Sequence, residues 1–503
     1  VTGEPAAAEH RLAGSALVTS ATVVATMGLG AVLALAIVLQ FGKTPRTDGL
    51  LSAYGVYGLL LTLATSARAS VAARLVEGPS MFANLDRLLG GAVVLALAGA
   101  VPLIALGAPV ADVLTGELPS EAADSARTAL AIFWIAAAAH LCAAVGAAAL
   151  ATRGEFAAPG FAYVAGGVAA ILLMLALSGP LGIDAVAVGV AAGALLTATV
   201  IGVRLLRAGY RPAAGRLGPA RAALVAARVI AIGSVGYMIA QATYVVSVAF
   251  AARLEPGDVT LYSYGFFAAM LVIGASSGTA GIVLAAPVSR SWDRRPESLL
   301  VHVENVTRGG LLLVLPALGV MALAGDELVE LVLGSKLDAG DPATVAGTFL
   351  ALGGLMVASS AMPVPMLAAF AKGRYGGIAW VALLTVVVHL PLSALAADLG
   401  SDEWLAAAAS VSALISLVAM LWLALGRLTG AGLAAVGREL VPMALAALVA
   451  FGAAGLLGAA LGGGAADVAA AVLGLALFAL GIRLVRPQAW LLALRMSEPL
   501  RGR

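Results

Sequence analysis

The sequence predicts an all-α polytopic membrane protein, from its composition, the length of its apolar runs and the sign of the charges between them. Of 503 residues, 62% are hydrophobic and 11% charged, with a mean hydropathy of +1.04. A soluble chain carries about a quarter charged residues. Here the charges gather in short clusters between apolar runs of about 20 residues, the length a helix needs to cross a bilayer core. Lipid-facing strands would alternate polar and apolar residues, and these runs do not.

About fourteen spans follow, at 12–41, 49–73, 88–111, 128–151, 158–179, 183–205, 224–251, 259–288, 309–332, 343–370, 376–397, 404–425, 440–461 and 466–485. The first run is too long for a signal-peptide core and is read as a retained membrane helix. Odd-numbered connectors are acidic or short, such as "ADVLTGELPSEAAD" at 111–124 and "DLGSDE" at 398–403. Even-numbered connectors are basic, above all the one carrying Arg204, Arg207, Arg211, Arg216, Arg221 and Arg228 with no acid between them. By the positive-inside rule the basic connectors and both termini are cytoplasmic, in a multi-pass protein of the cell membrane. The tail 486–503 mixes Trp490 with arginines and lies along the inner interface. Arginine runs of this kind are topology signals, so no nucleic-acid partner is expected. The net charge of +2 says little by itself. The single cysteine, Cys142, allows no intramolecular disulfide.

A small pattern returns in the chain. "TDGLLSAYG" at 47–55 and "GDVTLYSYG" at 257–265 each place an aspartate six residues before Tyr-Gly: Asp48 with Tyr54 and Gly55, Asp258 with Tyr264 and Gly265. Asp48 opens span two and Asp258 opens span eight. The copies are an even number of spans apart, so both point the same way through the membrane. This predicts two parallel six-helix lobes with a central site, an arrangement of secondary transporters. The N-lobe is 12–205, a basic linker is 206–223, the C-lobe is 224–425, and 440–485 holds two further helices. Asp48 and Asp258 read as caps of their own helix starts or as gating and ion-coordinating groups.

Polar residues inside spans face the bundle or a cavity more often than lipid. Span one carries Ser15, Thr19, Thr22 and Thr26 on one face, and span two carries Tyr54, Tyr57, Thr65 and Arg68. Span seven carries Ser234, Tyr237, Gln241 and Tyr244. Interhelical hydrogen bonding is one explanation, and a polar cavity between spans one, two, seven and eight is the other. Arg68 stands near the inner edge of span two, on the face of Tyr57. Its guanidinium could hold a pyrophosphate by bidentate hydrogen bonds or snorkel to the interface. His140 and His389, near mid-membrane, could shuttle protons or bond a neighbour. The chain has no phosphate-binding G-x-x-x-x-G-K-[ST] loop. It also has no Cys/His set with metal-ligand spacing, so neither catalysis, metal nor cofactor is expected.

Three stretches carry a family resemblance. The segment "VVSVAFAARLEPGDVTLYSYGFFAAMLVIGASSGTAGIVLAAPVSRS" (245–291) resembles the seventh and eighth helices of the MurJ/MviN family. "AAFAKGRYG" (368–376) resembles its tenth-to-eleventh loop, and "FGKTPRTDGLLSAY" (41–54) its first loop. The resemblance implies the multidrug/oligosaccharidyl-lipid/polysaccharide exporter superfamily, fourteen helices, and movement of polyprenyl-pyrophosphate-linked saccharides, with helices thirteen and fourteen forming a groove for the lipid tail. Family members assigned to lipid II carry cavity arginines in the first, second and eighth helices. Here those positions hold Met27 and Leu33, Leu61 or Thr62, and Phe267, while Arg68 lies one or two turns nearer the cytoplasm.

The expected function is a monomeric secondary transporter that flips a lipid-linked glycan by alternating access, amid membrane lipids and with H+ or Na+ as coupling cation. Arg68, Tyr57, Thr65, Tyr237, Gln241, Tyr244, Thr22 and Thr26 are the substrate-binding candidates. Asp48, Asp258, His140 and His389 are the coupling or gating candidates. A cation-coupled multidrug exporter and a transport-inactive cell-wall scaffold stand as alternatives.

Overall fold

The computed structural model describes residues 22, 25–26, 28–75, 81–155, 157–212, 220–234, 238–278 and 297–486. Among them every regular element is helical. In chain order these are α1 (Gly28–Phe41), α2 (Pro45–Leu75), α3 (Met81–Thr115), α4 (Ser120–Thr152), α5 (Ala157–Leu181), α6 (Asp184–Arg207), α7 (Ala220–Ser234), α8 (Ile239–Ala251) and α9 (Asp258–Ile273). A π turn, Gly274–Gly278, follows α9. Then come α10 (Ser298–Leu333), α11 (Asp341–Ala351), α12 (Gly353–Ala361), α13 (Pro363–Ala371), α14 (Tyr375–Asp398), α15 (Asp402–Leu425), α16 (Thr429–Leu461) and α17 (Gly464–Val485). Ten stretches among the described residues are long and apolar enough to cross a membrane, and Gly28–Phe41, Ala105–Thr115 and Gln241–Ala251 are shorter apolar helices. The protein is therefore a polytopic helical membrane protein.

The chain divides into two compact units between Thr260 and Leu261. In the first unit α4 is the central helix, packed on α2, α3 and α6. Small residues permit this, because membrane helices gain stability mainly from close van der Waals approach. A Cβ on Gly49 of α2 would lie 2.0 Å from the Ala122 carbonyl oxygen of α4. Gly166 of α5 and Gly193 of α6 meet in the same way. Two cores stack along the helices. Toward one end Leu50, Tyr57, Phe133, Met174 and Val186 pack together. Toward the other, Leu75, Leu85, Leu150, Ile201 and Ile230 do so. Beyond α6, Tyr210 is buried and donates to Asp86 Oδ1 at 2.5 Å, fixing the start of the arginine-rich connector to α3.

In the second unit α10 packs on α11, α12, α13, α16 and α17, while α14 packs on α15. Phe451 of α16 fits between Gly319 of α10 and Gly474 of α17, where any Cβ would collide with its ring. Arg308 of α10 and Glu439 of α16 form a bidentate ion pair at 2.9 and 2.8 Å, with side chains only 12% and 3% exposed. Arg438 pairs with Glu304 beside it. The "AKGRYG" motif forms the turn from α13 to α14. Gly373 takes φ +65° there, while Lys372 Nζ and Arg374 Nη1 donate to the last carbonyls of α15, at Ala424 and Leu423. Cations at a helix C-terminus complement both its unpaired carbonyls and its dipole.

Candidate functional site

The aspartates of the repeated pattern part company in the structure. Asp258 accepts the Glu255 amide at 2.8 Å and so caps its own helix start, as a capping box does. Asp48, in the first turn of α2, is fully buried. Its carboxylate turns to the start of α9 instead, accepting the Gly257 amide at 2.7 Å, the Thr260 amide at 3.0 Å and the Thr260 hydroxyl. Asp48 thus satisfies orphan amides at the N-terminus of another helix, where a carboxylate is favoured by the dipole. Gly257 makes the approach possible. Its φ of +105° is open to glycine, and the Lys43 side chain lies where a Cβ would stand. Thr44 and Thr47 hydroxyls, 2.9 Å apart, complete the turn before Asp48.

One level deeper, α2 and α4 build an aromatic cluster. Tyr57 stacks on Phe133 with centroids 5.0 Å apart, and its hydroxyl meets His140 Nδ1 at 3.2 Å. Tyr163 of α5 stacks on the His140 ring with centroids 6.0 Å apart. Tyr54 stands edge-on to Phe133. This cluster borders an apolar cleft of about 200 Å³ among α2, α3 and α4, walled by Tyr57, Leu60, Leu103, Leu106, Phe133 and Trp134. The Trp134 ring fills the place a Cβ on Gly99 would take, and its Nε1 donates to the Ala96 carbonyl at 3.0 Å.

The structure brings Tyr57 and His140 together, and separately Gln241 and Tyr244 with α2. Gln241 lies over Gly58, while Tyr244 is fully buried against Gly55. Thr22 is 9% exposed and packs on Gly160, while the exposed Thr26 donates its hydroxyl to the Thr22 carbonyl at 2.7 Å. His389 belongs to a separate polar ladder between α14 and α15. Its Nδ1 meets Ser412 Oγ at 3.2 Å and its Nε2 meets Ser393 Oγ at 3.2 Å. Thr385 and Ser416 hydroxyls continue that ladder at 2.5 Å. Tyr237 and Met27, and the side chains of Thr65 and Arg68, lie outside the described residues. Leu33, one of the positions where the resembled family has an arginine, is buried in the apolar core.

The family model of the lipid II flippase MurJ matches residues 79–463. The chain belongs to the lipid II flippase MurJ family. As a MurJ-family chain it is similar in fold to a solved lipid II flippase MurJ in an inward closed conformation, with a TM-score of 0.75 at 12% identity, covering 93% of this chain and 98% of the other. An inward-facing MATE multidrug resistance transporter of the MOP superfamily matches at TM-score 0.63 and 15% identity, over 84% of this chain and 99% of that one. A MOP superfamily transporter from Pyrococcus furiosus matches at TM-score 0.60 and 15% identity, over 84% and 96%. At these identities the likenesses speak for fold alone. No curated protein sequence matches the chain.

Sequence reasoning on this MurJ-family chain missed the partners of Asp48, because a bond across 209 residues leaves no local pattern. It also missed the Arg308–Glu439 pair. The available signal was two charges of opposite sign, Arg308 and Glu439, each just before an apolar span.

Proposed function

We propose that this protein moves a polyprenyl-pyrophosphate-linked glycan, either a peptidoglycan precursor or another cell-envelope polysaccharide unit, from the inner to the outer leaflet of the cytoplasmic membrane. It does so as a non-enzymatic transporter by alternating access. The family match over residues 79–463 carries this reading, and the fold likeness to a solved MurJ supports it.

The architecture proposed is fourteen crossings with both termini cytoplasmic. Support comes from the ten long apolar stretches, one of which, Asp402–Leu461, holds two helices, together with α1, α2, and α7 and α8 taken as one span. Two six-helix lobes, 12–205 and 224–425, would rock about the 206–223 linker, with 440–485 as an added helix pair beside the lipid tail and 486–503 as a basic cytoplasmic tail. In this division the Asp48 bonds to Gly257 and Thr260 join the outer start of span two to that of span eight. Arg68 would meet the substrate phosphates and tyrosines such as Tyr57 its sugars, with Thr65, Tyr237, Gln241, Tyr244, Thr22 and Thr26 around them. Asp48, Asp258, His140 and His389 would gate or couple transport to a cation, H+ or Na+, in a monomer.

A cation-coupled drug exporter is the second reading, favoured by the fold likeness to MATE transporters. Purified protein in liposomes, given fluorescent undecaprenyl-pyrophosphate glycans and in parallel a cationic dye, separates the two. Glycan movement supports the flippase. Cation-driven dye efflux without glycan movement promotes the exporter, and a protein that moves neither is a scaffold.

A further inference from the structure

We infer that Ser410 is a removable rung in the tenth span, holding residues 341–361 bent in this state and letting them straighten when its hydroxyl withdraws. The inference does not depend on what the protein carries.

The sequence reads 343–370 as one apolar span, yet the chain there forms three short helices, α11, α12 and α13. Their two interruptions differ in kind. At Met362 the backbone stays helical, with φ −62° and ψ −36°, and the cause is covalent. Pro365 has no N–H to offer the Ala361 carbonyl four residues back, so that rung is missing in every state. At Leu352 ψ opens to 0°, and the nearest prolines are Pro342 and Pro363. This second break has no covalent cause.

Its cause is a side chain from another helix. Leu352 still donates to Thr348 at 3.1 Å, and the ladder resumes with Met356 donating to Leu352 at 3.0 Å. Between them the rung from the Leu355 amide to the Ala351 carbonyl is open, and α15 inserts the Ser410 hydroxyl there. Its oxygen accepts the Leu355 amide at 3.1 Å and donates its proton to the Ala351 carbonyl at 2.6 Å. A hydroxyl suits this relay because it both donates and accepts. A side chain inserted into the i→i−4 ladder is an established cause of a kink. Two glycines admit it. A Cβ on Gly354 would lie 2.8 Å from Ser410 Cβ, and one on Gly353 would lie 3.3 Å from Leu318 of α10.

The neighbouring serines of α15 show where the hydroxyl goes when it leaves. Ser412 donates to the Ala408 carbonyl at 2.8 Å and Ser416 to the Ser412 carbonyl at 2.7 Å, each four residues back on its own helix. Ser410 has the same option at Ala406. In the bent state the Leu355 amide, the Ser410 hydroxyl and the Ala351 carbonyl share two hydrogen bonds. In the straight state Leu355 bonds Ala351 directly and Ser410 bonds Ala406, which is again two. No buried polar group is orphaned on either side, and Gly353 and Gly354 keep the straight helix from being strongly favoured. That balance is what a two-state element needs.

The test is the structure of the full-length Ser410→Ala protein in nanodiscs, with no substrate present, beside wild type and Ser412→Ala. With the hydroxyl gone, Leu355 and Ala351 close on each other. The expected result is a continuous helix through Leu352, with Leu355 N about 3 Å from the Ala351 oxygen. Its thermal midpoint should stay within about 2 °C of wild type, since no bond partner is left stranded. Ser412→Ala should keep the break. A break that persists at Leu352 in Ser410→Ala, empty or filled by water, overturns the inference. So does a Ser410→Ala protein that fails to fold, or a Ser412→Ala protein that straightens as well. None of these outcomes bears on glycan transport, which is measured separately.

Discussion

Asp48 and Thr260 lie 212 residues apart and are joined twice, through the Thr260 amide at 3.0 Å and through its hydroxyl. The bond pair is anchored by Gly257, whose amide completes the set and whose backbone no side-chain-bearing residue would copy cheaply. Gly257→Ala is expected to destabilise the protein by about 1–3 kcal/mol, since φ +105° is strained for alanine and the new Cβ meets the Lys43 chain. Thermal unfolding in detergent checks this. An unchanged midpoint would show that the turn is slack rather than held.

The Arg308–Glu439 pair fastens α16 to α10 in surroundings that exclude most water. Removing one partner strands the other charge. Glu439→Ala should cost about 3 kcal/mol, while the apolar double change Arg308→Met with Glu439→Leu should restore most of that loss. A double-mutant cycle on unfolding midpoints checks the coupling. Additive losses would mean the two side chains are adjacent without being energetically linked.

Tyr57 offers a graded case. Tyr57→Phe keeps the stack on Phe133 and loses only the hydroxyl contact with His140, at an expected cost of about 1 kcal/mol. Tyr57→Ala removes a ring that is 3% exposed and should cost about 3–5 kcal/mol. If the two variants melt alike, the hydrogen bond and not the ring holds the cluster.

Much of this fold was legible because membrane insertion is governed by summed hydropathy and by the sign of loop charges, both of which are local sums over sequence. Tyr57, His140 and His389 were visible as polar groups in apolar runs. Their partners were not, since Tyr57 meets His140 through the packing of α2 on α4, and His389 meets Ser412 through α14 on α15. The repeated aspartates show the same limit within one motif. Asp258 caps its own helix, as its spacing predicts, whereas Asp48 caps another helix, and nothing in nine residues of sequence separates the two. Gln241 and Tyr244 both turn to α2, where Gly58 and Gly55 leave room for them.

We propose that a pyrophosphate-bearing glycan crosses the membrane through this protein with Arg68 holding its phosphates. Leaflet exposure of a fluorescent undecaprenyl-pyrophosphate glycan, followed in liposomes carrying wild type or Arg68→Ala, measures this step. Rapid exposure is expected with wild type and at least a tenfold slower rate with Arg68→Ala, the loss expected for a charge-assisted bidentate contact of about 1.5–3 kcal/mol. No exposure with wild type, in vesicles where the protein is folded and oriented, would contradict it.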